Sequence, residues 1–195
     1  TDTVQVGKKI LQGKQTQKVL AFYKPVGVTC TERDPHAEKK IMDMIRYPER
    51  LTYAGRLDKD SEGLILLTND GDLINVMMRG ANRHEKEYIV KTDREITPDF
   101  LEKMAKGIYL KDLDITTREC EIEQIGKFTF RIVLTQGVNR QIRRMCEACG
   151  YRVKALKRIR IMNILLGDLK PGKWREVTGE ELEQLQRDTG MLNRN

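Results

Sequence analysis

Residues 51–71 read Leu51-Thr52-Tyr53-Ala54-Gly55-Arg56-Leu57-Asp58-Lys59-Asp60-Ser61-Glu62-Gly63-Leu64-Ile65-Leu66-Leu67-Thr68-Asn69-Asp70-Gly71. The two apolar runs, Leu51 to Ala54 and Gly63 to Thr68, have the length and composition of buried strands. Between them lies a polar loop, residues 55–62. Loops held between rigid strands are where reactive groups tend to sit. In an extended segment residues two apart point the same way, so Arg56 and Asp58 would share a face. A surface turn whose Asp and Lys are merely solvated fits the same residues. Downstream, Asp70 or Asp72 is placed to cap a helix through Met78, closed by Gly80.

Working outward, Lys18 to Tyr23 is strand-like and is stopped by the turn Lys24-Pro25-Val26-Gly27. Before it, Val4 to Ile10 alternates as a short strand and Gln12 to Lys18 reads as a linker. Ala37 to Ile45 has helical spacing, with Ile41, Met44 and Ile45 on one side. Glu85 to Thr92 alternates around Tyr88 and Val90 as a strand. Thr97 to Lys106 opens with Thr-Pro and ends at Gly107, which are helix start and stop signals. Thr116 to Ile125 and Lys127 to Thr135 form a hairpin around Gly126-Lys127. Asn139 to Cys149 is helical up to Gly150. In the strand Arg152 to Ile161, Val153, Ala155, Ile159 and Ile161 should pack while Arg152, Lys154, Arg158 and Arg160 face out. Thr178-Gly179-Glu180-Glu181 is a capping box for a last helix to about Arg187. Strands and helices mix without strict alternation, which predicts an α+β fold with a largely antiparallel sheet flanked by helices.

The 195 residues fit one domain or two small ones, and 39% hydrophobic content is a globular composition. No apolar run approaches the roughly 20 residues that span a bilayer. No stretch has the layout of a secretory signal, so a cytoplasmic protein is expected. Lys and Arg number 36 against 29 Asp and Glu, a formal charge of +7. The segment from Gly137 to Arg160 alone holds eight cations (Arg140, Arg143, Arg144, Arg152, Lys154, Lys157, Arg158, Arg160) and one anion, Glu147. Eight minus one accounts for the whole excess. A one-signed stretch reads as a footprint for a polyanion, nucleic acid first. A basic face without a partner is the plain alternative. Cys146 and Cys149 form a C-x-x-C with no second pair, and the histidines, His36 and His84, are far off in sequence, so a zinc site is not expected. The cysteines, with Cys30 and Cys120, read as free thiols.

With these residues in view, the chain is similar to a known family. Gly55 to Gly71 resembles the signature of the RNA pseudouridine synthases of the RsuA type, the RsuA/RluB/RluE/RluF family. Lys24-Pro25-Val26-Gly27 resembles its KPxG motif and Lys86-Glu87-Tyr88-Ile89-Val90 its KxYxV motif. Gly137 to Met145 (GVNRQIRRM) resembles its third motif, followed by Leu156 to Asn163. The resemblance covers about residues 18–187, and the wording of the third segment is most like the RluF branch, whose members act on 23S rRNA.

The resemblance implies a cofactor- and metal-free isomerisation that cuts the bond from uracil N1 to ribose, turns the base and rejoins it through C5. It places the essential aspartate at Asp58, as nucleophile toward C1′ or C6 or as base at C2′. It gives Asp58 an ion-pair partner in Arg143 and a ring against the base in Tyr88. Arg56 would fill the space of the flipped nucleotide. Lys24, Lys86, Arg140, Arg144, Arg152, Lys154, Arg158 and Arg160 would bind RNA, chiefly its backbone. Ser61 stands where the signature commonly has threonine. The branch usually carries an N-terminal S4-like RNA-binding domain. Residues 1–17 are expected to be its remnant and linker, 18–187 the catalytic domain and 188–195 a tail. The expected partner is structured RNA, 23S rRNA and also transfer RNA, met by a monomer. Two other readings stand beside this one: a non-catalytic RNA-binding module, and a metal-dependent nuclease using Asp58, Asp60, Asp70 and Asp72.

Overall fold

The structure is a computed structural model that describes residues 16–30 and 41–191. The strand expected over Val4 to Ile10 lies outside the described residues, as does the first part of the helix expected from Ala37. In chain order the elements begin with β1 (Val19–Lys24), α1 (Ile41–Met44), β2 (Thr52–Tyr53), β3 (Glu62–Thr68) and α2 (Gly71–Met78). Then come β4 (Lys86–Thr92), α3 (Pro98–Lys106), β5 (Tyr109–Leu110), β6 (Ile115–Thr116), β7 (Glu121–Gly126) and β8 (Thr129–Leu134). Last are α4 (Gln141–Ala148), β9 (Val153–Ile161), β10 (Ile164–Leu165), β11 (Trp174–Glu176) and α5 (Gly179–Asp188).

One mixed sheet runs in the order β11-β1-β3-β9-β4-β8-β7, with β2 added to β3 and β10 to β9; β5 and β6 form a small separate ribbon. All its pairings are antiparallel except β3 with β9. The α+β, mostly antiparallel fold is as the pattern predicts. Strands β1 and β3 read as continuous apolar runs because both their faces are covered. Val19, Ala21, Leu64 and Leu66 pack with Leu73 and Met77 of α2 and Leu185 of α5. Leu20, Phe22, Ile65 and Leu67 pack on the other side with Ile41 and Ile45. A third cluster under β4 and β8 joins Phe100 and Met104 of α3 to Ile142 and Met145 of α4.

The parallel seam between β3 and β9 sets Gly63 opposite Arg158. Gly63 has φ of +118°, and a Cβ there would lie 2.3 Å from the Arg158 carbonyl oxygen. Only glycine permits that approach. The residues just before Gly63 are the polar loop, so this contact seats the loop against the second half of the sheet.

Helix signals hold where a side chain makes the cap. Asp70 accepts from the Asp72 and Leu73 amides, and Thr97 from Phe100 ahead of Pro98. The box at Thr178 does not form: Thr178 makes no side-chain cap bond, and Glu181 takes two hydrogen bonds from Arg175, at 2.6 and 2.9 Å. A charged partner outcompetes a backbone amide for the same carboxylate. In β9 the period-two reading also fails. Pairing with β4 shifts register between Val153 and Ala155 and between Arg158 and Arg160, so Ala155 is exposed and Arg158 is 3% exposed. Each bulge resets which face a side chain takes.

Candidate active site

The loop between β2 and β3 is fixed through its backbone. Cys30 Sγ donates to the Leu57 carbonyl at 3.2 Å and accepts from the Leu57 amide at 3.4 Å. The Ser61 amide closes a turn on the Asp58 carbonyl at 3.1 Å. Gly27 N–H donates to the Lys59 carbonyl at 2.7 Å. Lys24, whose residue is 0% exposed, sends Nζ to the carbonyls of Pro25 and Ser61, both at 2.7 Å, and of Lys59 at 3.3 Å. From β9, Arg158 donates Nε to the Leu64 carbonyl at 2.8 Å and Nη1 to the Arg56 carbonyl at 3.4 Å. Arg56, Leu57, Asp58, Lys59 and Ser61 are thus each bonded through a backbone group, which fixes where Asp58 points.

It points into a cleft of about 430 Å³. Asp58 and Arg56 line one side, Tyr88 and Lys86 of β4 another, and Arg140 and Arg143 at the start of α4 a third, with Arg158 also on the wall. Lys86 and Tyr88 are two apart on one strand and so share a face. Burial, helped by Arg158, pushes the Lys86 ammonium down to about 8. Burial does the same to Lys24, also to about 8, against the nearby carboxylates.

The pairing of cations and carboxylates differs from the expected one. Arg140 Nη1 lies 3.2 Å from the Asp58 carboxylate, and the two Arg140 Nη groups each donate to Asp60 at 3.1 Å. Arg143 instead reaches Asp60: Nη1 is 3.6 Å from its carboxylate, while Nη2 donates to its carbonyl at 3.1 Å and to Ser61 Oγ at 3.0 Å. Arg143 Nε is buried and unpartnered among the described residues. In this structure the ion-pair partner of Asp58 is Arg140, while the expected partner, Arg143, lies against Asp60. The reason is local. Arg140 precedes α4 in the left-handed conformation, φ 51°, so its side chain leaves in a direction that helical spacing does not describe. Its hydrogen bonds, with the charges of both arginines, hold the Asp60 carboxyl below the usual carboxylate range.

Several expected RNA ligands have partners within the protein. Lys24 is buried on carbonyls, and Arg158 is buried on the loop and β3. Arg160 binds Glu87 at 2.7 Å and Glu85 at 3.0 Å, in a network that continues through Arg131. Arg144 holds the Asn139 carbonyl and side chain at 2.9 and 3.2 Å. Arg152 and Lys154 are exposed and lie away from the cleft lining. Asp60 and Ser61, central to the geometry, had no assigned place in the synthase reading; the signal for them was an acid and a hydroxyl two and three residues beyond Asp58. Among the described residues no group of His, Cys, Asp and Glu is arranged to hold a metal ion. Asp70 caps α2 rather than joining Asp58. The thiols of Cys120 and Cys146 are pushed up by burial, to about 11 and about 12.

The cleft thus combines a carboxylate on a pinned loop, an aromatic ring and a rim of arginines. The chain belongs to the RNA pseudouridylate synthase family, whose model matches residues 18–148. It is 44% identical over 186 residues to the dual-specificity RNA pseudouridine synthase RluF of Escherichia coli, covering 94% of this chain and 63% of that protein. It is 34% identical over 190 residues to an uncharacterised RNA pseudouridine synthase of Aquifex aeolicus, covering 95% of this chain and 78% of that one. A crystal structure of a pseudouridylate synthase superposes with a TM-score of 0.82 at 28% identity, over 89% of this chain and 75% of that one. The chain thus spans somewhat under two thirds of the length of the RluF relative.

Proposed function

We propose that the protein converts a uridine of structured RNA to pseudouridine, with 23S rRNA as its main substrate and transfer RNA as a second. What carries this reading is Asp58, held by a fully pinned loop at the wall of a cleft whose other walls bring Tyr88 and two arginines. A uridine in a helix must leave its stack before C1′ can be reached, at a cost of a few kcal/mol. Tyr88 would receive the flipped base, and stacking on an aromatic is worth about 1–3 kcal/mol per base. The exposed Arg56, on the Asp58 side of the cleft, would fill the vacated place. Asp58 would then act as nucleophile or base, and the N1–C1′ bond would break with its electron pair on the uracil; after the base turns, C5 would bond to C1′, any bond to Asp58 would be released, C5 would lose its proton to solvent and N1 would take one up. The relative's name, a dual-specificity RNA pseudouridine synthase, supports two classes of substrate RNA. The protein would act as a cytoplasmic monomer; among the described residues no helix is long and apolar enough to cross a membrane.

The test is tritium release from transcripts of 23S rRNA and transfer RNA labelled at uridine C5, with and without EDTA. Release that ignores the chelator is the expected result. Binding without release would favour a non-catalytic RNA-binding module, and strand cleavage that EDTA abolishes would favour a nuclease.

A further inference from the structure

Asp60 is anchored to more side chains than the residue beside it that carries the proposed chemistry. Its carboxylate accepts from both Nη groups of Arg140 at 3.1 Å and sits 3.6 Å from Arg143. The same Arg140 touches Asp58 through Nη1 alone, at 3.2 Å. A planar guanidinium offers its fork to one carboxylate at a time. While Asp60 holds the fork, Asp58 receives from Arg140 only a single contact, to Oδ2.

We propose that Asp60 is a positioning residue, which keeps Arg140 turned so that it gives Asp58 one contact instead of two. The inference rests on the synthase reading for its meaning but on this geometry for its content. An arginine free to clamp Asp58 from both sides would cap the two oxygens that a nucleophile or base needs. Asp60 does not touch substrate in this scheme; it acts through Arg140. Its side chain is 51% exposed, so the pair contributes little to stability and the effect is one of orientation. Arg143 adds to the arrangement from the first turn of α4, since its bonds to the Asp60 carbonyl and Ser61 Oγ fix the backbone from which the carboxylate projects.

Two measurements on Asp60→Asn and Asp60→Glu test this. The first is the crystal structure of Asp60→Asn. Arg140 should no longer present a single nitrogen to Asp58, and a retained single contact like that of the wild type would overturn the proposal. The second is steady-state turnover of a labelled transcript. Asp60→Asn should lose about tenfold to a hundredfold in kcat with KM for RNA little changed, the size expected when a reacting group is misplaced by an ångström or less. Asp60→Glu, which restores a carboxylate to the fork, should recover most of the loss. A wild-type kcat in Asp60→Asn, or no recovery in Asp60→Glu, would count against it. If the wild-type protein turns over no uridine, the synthase reading fails, while the crystal structure still decides what Asp60 does.

Discussion

Two lysines of the site share a pKa pushed down to about 8, yet their environments predict opposite effects of removal. Lys24 satisfies three backbone carbonyls at the base of the loop. Lys24→Met leaves buried acceptors unpaired and should cost roughly 2–4 kcal/mol in chemical denaturation at pH 7, since each orphan costs about 1–3 kcal/mol. Lys86 is depressed by burial and by Arg158, so its charge is carried at a cost. That cost is full below pH 8 and is relieved as pH rises from 8 toward 10.5, where the unfolded chain still binds the proton and the folded one does not. Lys86→Met should therefore stabilise the protein at pH 7, by roughly 1–3 kcal/mol, with the gain shrinking above pH 8 in a series of melts. Asp58 and Tyr88 were legible in the sequence because each stands in a motif of characteristic wording, and both line the cleft. The choice of Arg140 over Arg143 was not, because it depends on one left-handed φ that no residue type at that position announces.

Among the elements, the strand and helix signals that rest on near neighbours are legible in the sequence. Strands β1, β3 and β4, the hairpin of β7 and β8, and the helices α2, α3 and α4 fall where the spacing predicts. Those that depend on distant partners are not: the bulges of β9 answer to β4, and the empty cap at Thr178 answers to Arg175. The short strands β10 and β11 exist only by pairing with longer neighbours, so their few residues carry no periodicity of their own. The element most sensitive to one atom is the β3–β9 seam. Gly63→Ala would drive a Cβ into the Arg158 carbonyl in a backbone conformation that disfavours side chains. We expect a loss of more than about 3 kcal/mol in denaturant melts, as strain and broken pairing add. Wild-type stability for this variant would mean that the seam is not packed as described.

At the scale of the molecule, the +7 is less available than its arithmetic suggests. Of the eight cations between Gly137 and Arg160, Arg140 and Arg143 are engaged by Asp60, Arg158 is buried and Arg160 is held by glutamates. Arg152 and Lys154 are exposed, and Arg144 and Lys157 are partly so. On the proposed RNA-binding reading, these four exposed or partly exposed cations would give a slope of log affinity against log salt of about −3, where all eight would give about −6. Anisotropy titrations between low and moderate KCl should show it. Arg152→Gln should flatten the slope by about one contact's share, and Arg160→Gln should leave it unchanged. In the proposed function the pinned loop presents Asp58 for isomerisation of a flipped uridine. The most direct measurement is the pseudouridine content of a 23S rRNA transcript after a single turnover with excess enzyme, comparing wild type with Asp58→Asn. Pseudouridine is expected with the wild type and none with the variant, while both proteins melt alike and bind the RNA alike. Pseudouridine formed by Asp58→Asn at the wild-type rate would contradict that reading.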